Sequence, residues 1–245
     1  MIAIISAMQE EIQALLNKLQ NVSTVEKGMR TYYIGTLFNK NVVLVFSRWG
    51  KVASAATTTQ LINDFELDEI IFTGVAGAIS NNLNIGDVVI GKNLFQHDLN
   101  ASPFYKKFEI PIIKKLFLET KNPDKLITAT TFFLENYNNY VNLNDAKSFD
   151  ITKPKLVFGD IASGDQFISS LKKIAKLNKQ IPSAICVEME GAAVAQICYE
   201  YNMPFSIIRI ISDKANDNAT IDFSKFSNTI ASNYALGILE HYFKN

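Results

Sequence analysis

The chain has 245 residues, is 48% hydrophobic, and balances 24 Lys and Arg against 24 Asp and Glu. That length and apolar content suit one large α/β core in a single domain, 1–245. Zero net charge removes the electrostatic case for nucleic acid or an anionic membrane as partner, and Lys114-Lys115 and Lys172-Lys173 read as solvated helix faces.

Ile2–Ser6 is a short apolar run and predicts a buried parallel strand. Ile12, Leu15, Leu16 and Leu19 then recur at helical spacing, with Glu10 and Glu11 in the expected first turn. Glu11 borders the apolar stripe through Met8 and Leu15, whereas Glu10 points elsewhere. Residues 30–38 and 42–46 read as paired strands around Asn39-Lys40-Asn41. A helix rich in Ala and Thr is expected over 50–65. A strand over 68–73 follows and ends in Gly74-Val75-Ala76-Gly77-Ala78, where glycines permit close backbone approach. No G-x-G-x-x-G fingerprint is present.

A strand is expected over 87–91, and loop with short helices over 103–125. A helix falls within 123–140, a strand over 155–162 and a helix over 168–177. Residues 184–187, the helix to Tyr201 and residues 205–211 form a strand-helix-strand unit. Residues 214–222, the expected lid segment, lead to a last helix over 223–243. Strands alternating with helices give an α/β fold with helices on both faces of the sheet.

Two features carry chemistry. Glu188 and Glu190 stand where the apolar run from Ala184 enters a small-residue helix. An acid at the end of a buried strand is costly to desolvate, and in open α/β sheets ligands bind there. Glu190 extends the stripe of Val194, Ile197, Cys198 and Tyr201, so it points inward near the helix start. The second feature is the run to Ile211 that stops at Ser212-Asp213. Alternation puts Phe205, Ile207, Arg209, Ile211 and Asp213 on one face. Arg209 needs an anion, and Glu188, Glu190 and Asp213 are the candidates. With only His97 and His241 available, and neither in a nucleophile-elbow context, a Ser-His-Asp triad is disfavoured. His97-Asp98 reads either as a site pair or as the end of a strand. No Cys/His cluster has zinc spacing, so no metal is expected. Cys186 and Cys198 in apolar surroundings, with no leader or long apolar span, suit a cytoplasmic location.

Six strings occur in order: Ile5-Ser6-Ala7-Met8-Gln9-Glu10-Glu11, Gly50-Lys51-Val52, Thr73-Gly74-Val75-Ala76-Gly77, Ser163-Gly164-Asp165-Gln166-Phe167, Val187-Glu188-Met189-Glu190-Gly191-Ala192 and Arg209-Ile210-Ile211-Ser212-Asp213. Together they resemble the 5′-methylthioadenosine/S-adenosylhomocysteine nucleosidases of the nucleoside phosphorylase-like superfamily. The resemblance implies a three-layer α/β/α fold with a central mixed sheet. It implies a cofactor-free hydrolase of N-glycosidic bonds serving methionine salvage. Asp213 matches the acid that protonates adenine, Glu11 the group that activates water, and Glu190 the carboxylate that binds ribose hydroxyls beside Met189. Phe167 matches the aromatic that stacks on the base, Ile168 supplies backbone contacts to it, and Phe223 closes the pocket. Met8, Val75, Ala76, Gly77, Glu188, Arg209 and Ser212 complete the expected lining. Phe104 and Pro111 match residues that reach a partner subunit's site, which implies a homodimer.

Two positions depart from that pattern. Val75 stands where many members carry serine, and Trp49 where many have a small aliphatic residue, beside the 5′ substituent. The chemistry accounts for the acids: adenine leaves poorly unless protonated, and an acid and a base on opposite faces serve both partners. Because Arg209 would oppose a raised Asp213 pKa, it is expected nearer Glu188 or Glu190. Three rivals are an aminodeoxyfutalosine nucleosidase, a purine nucleoside phosphorylase and a non-catalytic nucleoside-binding protein. The phosphorylase would set phosphate against the Glu11 carboxylate.

Overall fold

The computed structural model describes residues 1–121, 123–215 and 219–244. The expected lid at 214–222 falls partly outside the described residues, at 216–218. Parallel strands β1 (Ile2–Ser6), β5 (Glu69–Ala78) and β10 (Phe205–Asp213) form the centre of a mixed sheet. β4 (Lys40–Phe46), β3 (Arg30–Leu37) and β2 (Gln20–Lys27) extend it from β1. On the other side lie β6 (Val88–Gln96), β8 (Leu156–Ser163) and β9 (Ala184–Glu188), with β7 (Leu118–Glu119) paired to β6.

Alternation along the central strands sorts side chains to two faces. Ile4, Ile71 and Ile208 join α1 (Gln13–Leu16), α3 (Asp124–Glu135) and α8 (Ser232–Lys244) in one apolar layer. Ala3, Ile5, Phe72 and Ile207 face α2 (Lys51–Asp64) and α6 (Gly191–Glu200). The α/β/α arrangement with a mixed sheet is therefore as expected. One further feature is that the sheet curls. β5 pairs β10, β10 pairs β6, β6 pairs β8, β8 pairs β9, and β9 returns to β5 through Gly77–Val187 and Ala78–Cys186. The last pairing is antiparallel and joins the carboxyl ends of both strands. Acids at the ends of separate strands are thereby brought to one corner.

Several expected boundaries shift. The first helix shrinks to Gln13–Leu16, and Glu10 and Glu11 sit in the turn before it. The cause is Glu11, whose carboxylate folds back to accept from the N–H groups of Ala7 and Met8. β2 was unexpected, because its mostly exposed residues lack an apolar alternation. The turn before β4 centres on Phe38 and Asn39, both at positive φ, one residue earlier than Asn39-Lys40-Asn41 suggested. β5 runs on through the glycines to Ala78, since neighbours on both sides pair with it. β6 likewise runs to Gln96. α4 (Leu143–Ser148), capped by the Asn142 side chain, was also unexpected. α5 (Leu171–Gln180) starts three residues after the expected 168, leaving Ile168 free of helix. The last helix divides into α7 (Ala219–Phe226), a π turn (Ser227–Ala231) and α8.

Candidate active site

Glu11, Glu190 and Asp213 line one hollow. With them stand Met8, Trp49, Val75, Ala76, Gly77, Phe167, Ile168, Glu188, Met189, Ser212 and Phe223, all expected, and Ala7, Gln166 and Val187, which were not. The last three adjoin named positions, so the strings themselves held that signal. Arg209 is excluded from the lining: it lies behind Glu188 and is 1% exposed. Phe104 is exposed and Pro111 half-buried, and neither lines the hollow of its own chain.

Glu11 is buried at the end of β1. Its Oε2 accepts from Ser6 Oγ at 2.5 Å and from the Ala7 and Met8 N–H groups at 3.0 Å each. Oε1 accepts only from Val75 N–H, at 3.0 Å, among the described residues. Burial raises its pKa, while the Ser6 hydroxyl, Arg209 and the backbone donors oppose that rise. Oε1 retains acceptor capacity for a water. Val75 contributes through its backbone, so the missing hydroxyl leaves this contact intact.

Glu188 and Glu190 divide two tasks. Glu188 caps α6, accepting from the N–H groups of Glu190 at 3.1 Å and Gly191 at 2.8 Å. It also takes the Ser163 hydroxyl and the Arg209 guanidinium. The cap role at the start of α6 therefore falls to Glu188, whose carboxylate meets the free N–H groups. Glu190 Oε1 instead accepts from Gly50 N–H at 2.8 Å. Burial, then the neighbouring Glu188, push the Glu190 carboxyl up to about 8. Hydroxyl donors from a bound diol would favour its charged form.

Asp213 sits at the carboxyl end of β10. Ser212 Oγ donates to Oδ2 at 2.8 Å and Ala215 N–H to Oδ1 at 2.7 Å. Burial raises its pKa against those two donors, and Asp222 adds to the rise. Arg209 pairs with Glu188 at 2.6 Å, the partner the pKa argument required. Its guanidinium also lies 4.2 Å from the Phe72 ring centroid.

The hollow's rim is aromatic. Phe223 meets Trp49 edge-on at 6.0 Å and Phe167 at 5.7 Å. Phe167 is held through the preceding loop. Lys51 N–H donates to Asp165 Oδ1 at 2.8 Å, Asp165 N–H to Asp98 Oδ2 at 2.9 Å, and Lys51 Nζ to Asp98 Oδ1 at 2.6 Å. Gly50 at φ +92° begins α2 in this network, and a Cβ there would stand 2.9 Å from Asp165 Oδ1. Asp98 is thus structural, and His97 packs against Gly164 outside the hollow.

The family model described as the phosphorylase superfamily matches residues 1–244. The chain belongs to this superfamily. The 5′-methylthioadenosine/S-adenosylhomocysteine nucleosidase of Staphylococcus aureus (strain bovine RF122 / ET3-1) is 38% identical over 227 residues, 92% of each chain. The nucleosidase of that name from Neisseria meningitidis, solved with methylthio-immucillin-A, shares 34% identity at a TM-score of 0.83, covering 100% of this chain and 99% of the other. Futalosine hydrolase of Helicobacter pylori strain 26695 matches at 30% identity and TM-score 0.82, over 100% of this chain and 97% of its own. Within the superfamily, the nucleosidases are the group to which these sequence relationships assign the chain. Among the described residues, no helix is long and apolar enough to cross a membrane and no His, Cys, Asp and Glu group could hold a metal.

Proposed function

We propose that the chain hydrolyses the N-glycosidic bond of 5′-methylthioadenosine and S-adenosylhomocysteine. The products are adenine and 5-methylthioribose or S-ribosylhomocysteine. The observation that carries this reading is the meeting of Glu11, Glu190 and Asp213 around one hollow rimmed by Trp49, Phe167 and Phe223.

Burial raises the Asp213 pKa and so favours the protonated form, from which it delivers a proton to the ring nitrogen of the leaving adenine. Glu11 Oε1 accepts a proton from the attacking water on the sugar's other side. Its Ser6, Ala7, Met8 and Val75 donors favour the carboxylate form that a base requires. Glu190 and Met189 hold the ribose, Phe167 stacks on the base, and Ile168 offers backbone groups to it. No cofactor is needed. Residues 1–245 act as one nucleosidase domain in the cytoplasm. A homodimer completes the site, with Phe104 and Pro111 entering the partner subunit's hollow.

The charge of the lining weighs against phosphorolysis. Its ionisable side chains among the described residues are Glu11, Glu188, Glu190 and Asp213, all acids, and none would hold phosphate. Adenine release from a panel of 5′-modified adenosines in phosphate-free buffer tests the reading. Strict phosphate dependence overturns it. Including 6-amino-6-deoxyfutalosine and 5′-deoxyadenosine in the panel tests the futalosine alternative.

A further inference from the structure

Lys214 directly follows the proposed acid, lies outside the lining of the hollow, and reaches the connection between β5 and β6, at 79–87. Its Nζ donates to the Leu83 carbonyl and to Asn84 Oδ1, the second at 3.0 Å. That connection is itself anchored. Buried Asp87 accepts from Asn84 N–H at 2.8 Å and from Lys155 N–H at 2.9 Å, and Lys155 Nζ donates to the Asn82 carbonyl. The same connection holds β10 just before Ser212: Gly86 N–H donates to the Ile211 carbonyl and Ile211 N–H to the Asp87 carbonyl, at 2.8 Å each. Ser212 and Asp213 are thus bracketed by two attachments to one loop.

The second attachment matters because the backbone around Asp213 is irregular. The pairing of β10 with β5 shifts register between Ile211 and Asp213. Ala215 is fully buried and stands at φ +50°, a left-handed conformation that residues with a Cβ rarely adopt. In that conformation its N–H meets Asp213 Oδ1 at 2.7 Å, closing a turn on the acid's own side chain. Alanine has no intrinsic preference for this angle, so contacts from outside the turn must hold it. Lys214, between the two residues, makes such a contact.

We propose that Lys214 is a positioning residue for the general acid: by fastening the chain to the 79–87 connection, it holds the Ala215 N–H on Asp213 Oδ1 and fixes the carboxyl's orientation. It touches no reacting atom. The assignment rests on the nucleosidase reading and deepens it. The ionisable groups acting on Lys214 are Asp87 and Lys155; those near Asp213 are Asp222 from α7 and Glu11, Glu188 and Glu190 on the same hollow. The Ala215 N–H lowers the Asp213 pKa against the effect of burial. Its loss therefore raises that pKa further, and the alkaline fall in rate moves to higher pH.

The test is the pH profile of kcat with 5′-methylthioadenosine, which reports groups in the substrate complex, where ribose hydroxyls keep Glu190 charged. Lys214→Met is expected to lower kcat about ten-fold, less than the roughly 10²-fold of a 1 Å misplacement. It also moves the alkaline limb upward by about one pH unit, the scale of one hydrogen bond to a carboxylate. Lys214→Arg, which can still donate to both acceptors, restores both values. Asn84→Ala, on the other side of the contact, moves the limb the same way by a smaller amount. A limb that stays at the wild-type pH in both K214M and N84A overturns the proposal even if kcat falls, because a general loss of structure lowers the rate without moving the acid's pKa. A K214R profile like that of K214M overturns it too. Both outcomes leave the nucleosidase reading standing. A wild-type protein that releases no adenine from 5′-methylthioadenosine removes that reading, and this one with it.

Discussion

Arg209 gives both Nε and Nη2 to one oxygen of Glu188, at 3.2 and 2.6 Å, and leaves Asp213 without a cationic partner among the described residues. That division leaves no cation to oppose the effect of burial on Asp213 within the same corner. Arg209→Met strands the Glu188 charge and is expected to cost about 3–5 kcal/mol in urea denaturation. Adding Glu188→Gln recovers part of the loss, so the two changes are non-additive. Strictly additive losses would show that the pair is not a unit.

Asp213→Asn removes the proton donor with little change of shape. The expected result is a fall in kcat of about 10²–10⁴, with adenine binding retained in equilibrium dialysis. Because the acid works in its protonated form and burial raises its pKa, the wild-type rate falls as pH rises through that raised value. The residual rate of the variant lacks this alkaline limb. Full turnover by D213N would remove Asp213 from the acid role.

Glu190 links activity to stability. Its carboxyl titrates at about 8 in the folded chain against an ordinary 4.5. The fold therefore binds this proton more tightly than the unfolded chain does. The stabilisation is complete below the unfolded value and is lost as pH rises through about 8. Glu190→Gln has no such dependence. Its stability relative to wild type should improve between about pH 5 and about pH 9, by at most about 5 kcal/mol. Thermal melts that shift in parallel at both pH values would contradict this, and kcat/KM should fall through lost ribose contacts.

Trp49 borders the hollow and meets Phe223 edge-on. Trp49→Ile widens the hollow's rim and gives up an aromatic pair worth about 0.5–1.5 kcal/mol. The expected outcome is weaker binding of both substrates and a higher ratio of S-adenosylhomocysteine to methylthioadenosine turnover. An unchanged ratio would show that the indole does not select the 5′ group.

Gly77 leaves room for the acid. A Cβ there would stand 2.8 Å from Asp213 Oδ1 and 3.1 Å from the Ala215 Cβ. Gly77→Ala must displace one of them, and a displacement near 1 Å costs about 10²-fold in rate. A crystal structure of G77A with Asp213 unmoved and wild-type turnover would refute this.

Much of the fold was legible locally. The apolar runs marked β1 and β10 as strands, and Ala and Thr richness marked the helix over Lys51–Asp64. β2 did not, because an exposed edge strand needs no apolar alternation and is held by its partner β3. The first helix was over-extended for the opposite reason. Its spacing was helical, yet Glu11 gains more from the N–H groups of the preceding turn than from a longer helix.

The acids differ in the same way. Their identities and their places at strand ends stood in the chain, and the six ordered strings pointed to a nucleosidase. Their division of labour did not. Glu188 and Glu190 are two residues apart, and only the position of Arg209 on β10, across β5 from β9, makes the first an ion-pair partner and frees the second for the hollow.

By itself, then, the sequence determined which segments bury, which residues can carry protons, and the superfamily. Tertiary structure alone decided that β5 and β9 meet at their carboxyl ends through Gly77–Val187 and Ala78–Cys186, closing the corner where Glu11, Glu190 and Asp213 converge. Burial follows from side chains read a few positions at a time. A pairing across more than a hundred residues depends on the curl of the whole sheet, which leaves no local trace.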